Sequence, residues 1–147
     1  MRQTDNLTVG DLMLRDLKTA REEDGVEKVY ASMLEGRFRH MPVVDAKNRL
    51  VGIVSDRDLR NVLVFINDKD GERKAIGDKK LTIGRVMTRE PMAADPGDSL
   101  KTAVRVMIKH KFGCLPVVDE KERIMGLVTE TDLLKLLEEL LTVKKAT

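Results

Sequence analysis

The sequence predicts a mixed α/β (α+β) fold made of two tandem copies of one strand–helix–strand–strand–helix unit. Three observations carry that reading. Pro42-Val43-Val44-Asp45 recurs as Pro116-Val117-Val118-Asp119, an offset of 74 residues. The same offset relates Leu7-Thr8-Val9-Gly10 to Leu81-Thr82-Ile83-Gly84, and 19 of the 53 positions from 7–59 onto 81–133 are identical without a gap. Each copy also holds a helical apolar stripe followed by two short apolar runs, the order expected of a duplicated supersecondary unit. The duplication sets the predicted organisation: a first repeat at 7–66, a charged linker at 67–80 and a second repeat at 81–141.

The elements follow in order within each repeat. Each repeat is expected to open with a short strand before its first helix. Val26, Val29, Tyr30, Met33 and Leu34 fall at i, i+3, i+4, i+7 and i+8, one face of a helix, and Leu100, Ala103, Val104, Met107 and Ile108 repeat it. Asp24 with Glu27 predicts a capping box at the first helix, and Asp98 or Ser99 a cap at the second. Valine- and isoleucine-rich runs at 41–44 and 50–54, and again at 115–118 and 124–128, read as strands joined by charged turns. Leu59, Val62, Leu63 and Ile66 predict a closing helix, matched by Leu133, Leu136, Leu137 and Leu140. A single unit of this size is marginal alone, so two copies are expected to share their apolar burial.

Composition removes several classes of function. The 147 residues carry 27 basic and 25 acidic side chains, a net charge of +2, without the basic excess of a nucleic-acid binder. Aromatic residues make up 3% of the chain and tryptophan is absent, which leaves few stacking platforms for single strands. Two histidines and one cysteine cannot build a zinc site or an internal disulfide. No apolar run reaches the ~18–20 residues that span a bilayer, and the scattered charges after Met1-Arg2-Gln3-Thr4 give no signal-peptide core. The expectation is a cytoplasmic protein, with no membrane insertion and no metal.

Several residues have a structural explanation ready. Met13, Met33, Met87 and Met107 repeat with the unit and are expected in the core. Cys114 has no resolving partner and is expected as a small apolar wall. His110, between Lys109 and Lys111, reads as an exposed helix end. The linker has nine charged residues in fourteen and reads as a solvated connector. The helix from 133 to 141 holds more leucines than one face needs, which predicts a dimer or partner surface unless they pack within the molecule.

Met13, Arg39-His40-Met41-Pro42-Val43-Val44-Asp45 and Gly52-Ile53-Val54-Ser55-Asp56-Arg57-Asp58-Leu59 together resemble a cystathionine-β-synthase (CBS) domain. Met87, Cys114-Leu115-Pro116-Val117-Val118-Asp119 and Gly126-Leu127-Val128-Thr129-Glu130-Thr131-Asp132-Leu133 resemble a second. The wording is similar to stand-alone CBS pairs of the acetoin-utilisation type. The resemblance covers about residues 7–140 and implies a Bateman module, two repeats packed with pseudo-two-fold symmetry. It implies adenosine-containing ligands (AMP, ADP, ATP, S-adenosylmethionine or NAD) in clefts between the repeats, a homodimer, and a regulatory role exercised on an unknown target protein. No cofactor is required.

The family's hydroxyl-x-x-Asp signature falls on Ser55 with Asp58 and on Thr129 with Asp132. A carboxylate can accept two hydrogen bonds from a ribose diol, and a hydroxyl suits phosphate. The same residues could simply cap the following helices. By the resemblance Arg39, His40, Met41, Pro42 and Arg57 line the first cleft, with Lys18, Thr19 and Ala20 at the adenine. Cys114, Leu115, Pro116 and Thr131 line the second, with Met92, Ala93 and Ala94. Arg39, His40 and Arg57 could bind phosphate or form surface ion pairs with Asp45, Asp56 or Glu35. Their counterparts Gly113, Cys114 and Thr131 are uncharged, so the two clefts are expected to differ. Leu17 replaces the proline seen at Pro91, and Arg21-Glu22-Glu23 replaces Asp95-Pro96-Gly97, which puts the first adenine pocket in question.

The leading expectation is a non-catalytic sensor of adenosine compounds that signals by conformational change. The alternative is a ligand-independent dimerisation or protein-interaction module. Asp56, Asp58, Glu130 and Asp132 come with no nucleophile, metal cluster or phosphate loop, so an enzyme is not expected.

Overall fold

The structure, a computed structural model, describes residues 5–145, with side chains as far as 142. Residues 1–4, read above for a signal peptide, lie outside the described residues. In chain order the elements are α1 (Val9–Leu12), α2 (Val26–Gly36), β1 (His40–Val44), β2 (Leu50–Ser55), α3 (Asp56–Arg60), β3 (Val64–Asn67) and β4 (Arg73–Ile76), followed by α4 (Ile83–Val86), β5 (Thr88–Arg89), α5 (Leu100–His110), β6 (Cys114–Val118), β7 (Ile124–Thr129) and α6 (Glu130–Lys145). The chain divides into two compact units. A central unit runs from Lys18 to Pro91; a terminal unit joins the chain up to Leu17 with the chain from Met92. Units and sequence repeats therefore interleave, because each unit takes its short helix, α4 or α1, from the other repeat.

In the central unit α2 buries Val26, Val29, Tyr30 and Met33 along one stripe. The helix ends where Arg37 turns left-handed (φ 55°) and returns its N–H to the Met33 carbonyl. β1 and β2 form an antiparallel hairpin from His40–Ser55 to Val44–Leu50, irregular between Val43 and Val44. Ile83 and Met87 then complete the core, Ile83 fully buried. Each such side chain contributes ~1.5–3 kcal/mol of burial, so the borrowed segment is integral to this unit. The terminal unit mirrors the scheme, with Val9 and Met13 packed beside Ala103, Met107, Leu115, Val117 and Val128. Met13, Met33, Met87 and Met107 are all buried, as expected of core residues.

Three local expectations change. The capping box expected at α2 is absent: Gly25 is the N-cap, the Asp24 carboxylate accepts the Arg21 N–H at 2.9 Å, and Glu27 accepts the Gly77 N–H. Ser99 occupies the N-cap of α5 without a side-chain bond, and Asp98 instead accepts the Asp95 N–H. Both aspartates close the turn before the helix.

The opening strands shrink to single bridges. Ala20 lies parallel to Val43, with Ala20 N–H to the Pro42 carbonyl and Val44 N–H to the Ala20 carbonyl, both 2.9 Å. Ala94 repeats this against Pro116 and Val118. Replacing Pro91 by Leu17 therefore leaves the backbone geometry at this point unchanged.

The closing helix of the first repeat stops at Arg60. Residues 62–66, Val-Leu-Val-Phe-Ile, read as i, i+3, i+4 but are β-branched and aromatic, and β3 pairs antiparallel with β4 across 64–76. Leu63 is buried, Phe65 meets Tyr30 edge-on at 5.8 Å, and the Arg73 guanidinium lies 4.3 Å over the Phe65 ring. Residues 67–76 of the expected linker thus belong to a solvated hairpin, turning at Gly71 (φ 80°).

Candidate functional site

In each unit the second hairpin strand runs directly into a helix, and the junction carries the hydroxyl-x-x-Asp motif. Ser55 is the N-cap of α3. Its N–H donates to Asp58 Oδ2 at 2.9 Å, and its Oγ accepts the Asp58 N–H at 3.1 Å, a reciprocal capping box. The box fixes the Asp58 side chain through Oδ2. Asp56 N–H donates to the Arg39 carbonyl at 2.9 Å, which ties the start of α3 to the residue before β1. His40 pairs with Ser55 across the hairpin. Arg39, His40, Ser55, Arg57 and Asp58 thus meet at one end of one hairpin.

The terminal unit builds the same capping box, Thr129 Oγ1 accepting the Asp132 N–H at 3.2 Å, with one bond more. The Thr129 hydroxyl donates to Asp132 Oδ2 at 2.7 Å, and the Thr129 N–H reaches that oxygen at 3.3 Å. Glu130 N–H donates to the Gly113 carbonyl at 3.0 Å, the counterpart of the Asp56–Arg39 tie. Cys114 takes the place of His40 and is buried; burial first, and the Glu130 charge second, push its thiol up to about 12. A thiol held neutral there is a packing residue, as the sequence suggested.

The candidate residues divide by exposure. Arg39, Arg57, Lys18, Thr19, Met92, Ala93 and Thr131 are exposed, and Ser55, Asp58, His40, Thr129 and Asp132 are half-buried. Ala20, Ala94, Met41, Pro42, Leu115 and Pro116 are buried, so their side chains act as scaffold. Expected ion pairs go elsewhere: Asp45 holds Arg49 at 2.8 Å and Asp56 holds Arg60 at 3.4 Å. Among the described residues neither Arg39 nor Arg57 has a carboxylate within ion-pair distance. No group of His, Cys, Asp and Glu able to hold a metal occurs among the described residues.

A second surface on the central unit escaped the sequence reading. Between α2 and α3 lies an open cleft of about 390 Å³, floored by Tyr30, Met33 and Phe38 and rimmed by Arg37, Arg39 and Arg60. The signal was present in the repeat itself: at the 74-residue offset Arg39 and Arg60 meet Gly113 and Leu134.

A duplicated helix–hairpin unit, each closed by a capping box at a strand–helix junction, defines the class: a tandem CBS domain pair. The CBS domain family model matches residues 9–65 and 83–139, and the chain belongs to that family. CBS pairs are generally regulatory, non-catalytic modules. The chain is 33% identical over 135 residues to the uncharacterized protein MJ1225 of Methanocaldococcus jannaschii, covering 89% of this chain and 47% of that one. It spans about half or less of the length of the curated relatives it matches. Among solved structures, a protein described as an acetoin utilization protein (AcuB) from Vibrio cholerae superimposes with a TM-score of 0.79 at 28% identity, over 95% of this chain and 98% of that one. CBSX2 in complex with AMP gives 0.73 at 26%, over 90% and 97%.

Proposed function

We propose that this CBS pair is a non-catalytic regulatory module that binds an adenosine-containing ligand (AMP, ADP, ATP, S-adenosylmethionine or NAD) and passes the occupancy to a separate target protein. The observation that carries the reading is the Ser55–Asp58 capping box, which fixes a carboxylate at the strand–helix junction where His40 pairs with Ser55. A carboxylate suits a ribose diol, and the nearby sequence positions Arg39 and Arg57 suit phosphate. The CBSX2 complex with AMP supports this ligand class. The terminal unit offers Gly113, Cys114 and Thr131 instead, and its Thr129 hydroxyl is already spent on Asp132. Phosphorylated ligands therefore belong to the central unit, with Lys18 and Thr19 nearest the base, and a neutral-tailed adenosine compound to the terminal unit, near Met92 and Ala93. The protein acts in the cytoplasm as a homodimer. No described helix is long and apolar enough to cross a membrane.

The test is a thermal-shift and calorimetric panel of the five ligands on wild type, Asp58→Asn and Asp132→Asn. A ligand at a hundred times its Kd adds about 2.7 kcal/mol to stability, several degrees in Tm. Loss of the AMP or ATP shift in Asp58→Asn alone is the expected outcome. Unchanged titrations in both variants would overturn the site assignment. One observation favours a second reading: Leu134, Leu137, Leu140 and Leu141 of α6 are exposed, as a ligand-independent dimerisation module would need. A tight dimer with no response to any adenosine compound would select that reading.

A further inference from the structure

We propose that the outer edge of β3 is the docking slot for the target protein, which lays an extended apolar segment ending in a lysine or arginine beside it. The proposal rests on the reading above that a separate target exists, and it gives that target a place and a chemistry.

Three hairpins of the chain close with the same turn. Asp45, Asp68 and Asp119 each accept two backbone N–H groups on Oδ1, from Lys47 and Arg49, from Asp70 and Glu72, and from Lys121 and Arg123. Each aspartate N–H donates to the carbonyl four residues on, and each aspartate carbonyl accepts the N–H three residues on. The left-handed residue of the turn is Asn48, Gly71 or Glu122. This closure fixes which backbone groups face away from the hairpin partner: those of the residue before the aspartate and of the one two places earlier.

In two of the hairpins that outward edge is filled. Val44 N–H donates to the Ala20 carbonyl and Ala20 N–H to the Pro42 carbonyl, both at 2.9 Å. Ala94 bridges Pro116 and Val118 in the same way, at 2.8 and 2.9 Å. The equivalent groups of β3 are the Phe65 carbonyl and the Asn67 N–H, and no described backbone segment bridges them. Their sheet stops at two strands. The fold builds one slot three times and leaves the third open.

The open edge selects its occupant. β4 is guarded by Arg73 and Lys74, whereas Val64-Phe65-Ile66-Asn67 has no charge, proline or bulge to repel a strand. Val64, Ile66 and Ile76 are exposed on its outer face. A segment parallel to β3, as Ala20 is to β1, sets alternate side chains beside Val64 and Ile66 and the next beside Asp68. Asp68 is held by Lys74 at 3.7 Å, while Asp70 and Glu72 have no ion pair among the described residues. Charge complementarity therefore asks for two apolar residues followed by a base. Only Asn61, Val62 and Leu63 separate β3 from α3, so the slot lies one short helix from the Ser55–Asp58 box. At the 74-residue offset the terminal unit carries α6 and no such edge.

The test reads amide exchange residue by residue on the full chain with the peptide acetyl-Thr-Val-Thr-Val-Thr-Lys-amide at millimolar concentration. The Phe65 and Asn67 amides are expected to slow severalfold, while Arg73 and Ala75 on the opposite edge keep their rates. A peptide with glutamate in place of lysine is expected to act more weakly. Asn67→Pro removes the outward N–H without taking a ladder bond, and Ile66→Lys charges the outer face. Each is expected to abolish the slowing at Phe65 with the wild-type Tm retained. No slowing at Phe65 and Asn67, slowing that persists in both variants, or equal action of the two peptides would overturn the slot. Slowing without peptide that grows with protein concentration would assign the edge to a second copy and overturn it too. The AMP titration of Asp58→Asn is separate: its failure removes the adenosine reading and leaves the slot standing, and failure of the peptide does the reverse.

Discussion

The two units share a hairpin, a charged turn and a capping box, and they diverge where those parts face solvent. At the hairpin end the central unit presents Arg39, His40 and Arg57, and the terminal unit Gly113, Cys114 and Thr131. After the box the central chain makes one helical turn and a β-hairpin; the terminal chain continues as a 16-residue helix. The hairpin turns match almost atom for atom: Asp45 accepts Lys47 and Arg49 N–H groups and the Arg49 Nε, and Asp119 does the same with Lys121 and Arg123. What the duplication kept is the scaffold. What it let drift is surface chemistry, which is where a ligand and a partner would be told apart.

The interleaving of units and repeats can be broken first. Met13 belongs to the first repeat by sequence and to the terminal core by packing, so Met13→Ala is expected to cost ~2–5 kcal/mol. Amide exchange should quicken at Leu115 and Val117 while Met41 and Val43 keep their protection. Equal loss in both would contradict the division. A smaller effect sharpens the difference between Cys114 and His40. The folded thiol stands near 12 against an ordinary 9.0, so ionisation favours the unfolded chain. The Cys114 contribution to stability is then constant below pH 9 and falls as pH rises from 9 towards 12, by up to about 1.4 kcal/mol per pH unit. Alkaline denaturant titrations of wild type and Cys114→Ala should separate over that window, the variant losing this slope. The smallest effect lies in the turns. Asn48 and Glu122 both sit at φ 63°, a conformation asparagine tolerates better than glutamate. Glu122→Asn is expected to raise stability by up to about 1 kcal/mol, seen as a higher Tm, and Asn48→Glu to lower it.

The repeat made the hairpins and α2 and α5 legible, because periodicity and β-branched runs are local signals. Residues 59–66 misled for the same reason. Apolar spacing fitted a helix, yet only contact with Tyr30 and pairing with Arg73 and Lys74 decide for β3. The capping boxes at Ser55 and Thr129 were readable from spacing, whereas the caps expected at Asp24 and Asp98 do not form, since each carboxylate is drawn to the turn before its helix. The residues of the expected site could be picked out by motif spacing alone. The second surface could not, because Arg37 and Arg60 carry no motif and acquire meaning only when folding sets them around Tyr30 and Phe38. Nor could any repeat alignment show that α1 and α4 change places.

That exchange has a consequence during synthesis. The central unit is complete once Pro91 has left the ribosome, and it can fold while the rest is still being made. Val9 and Met13 are made before that unit and yet must wait, because their core does not exist until Val117 and Val128 follow. At 5–20 residues per second the stretch from Met13 to Val128 takes roughly six to twenty-three seconds. For that time Val9 and Met13 lack the apolar neighbours that bury them in the folded unit.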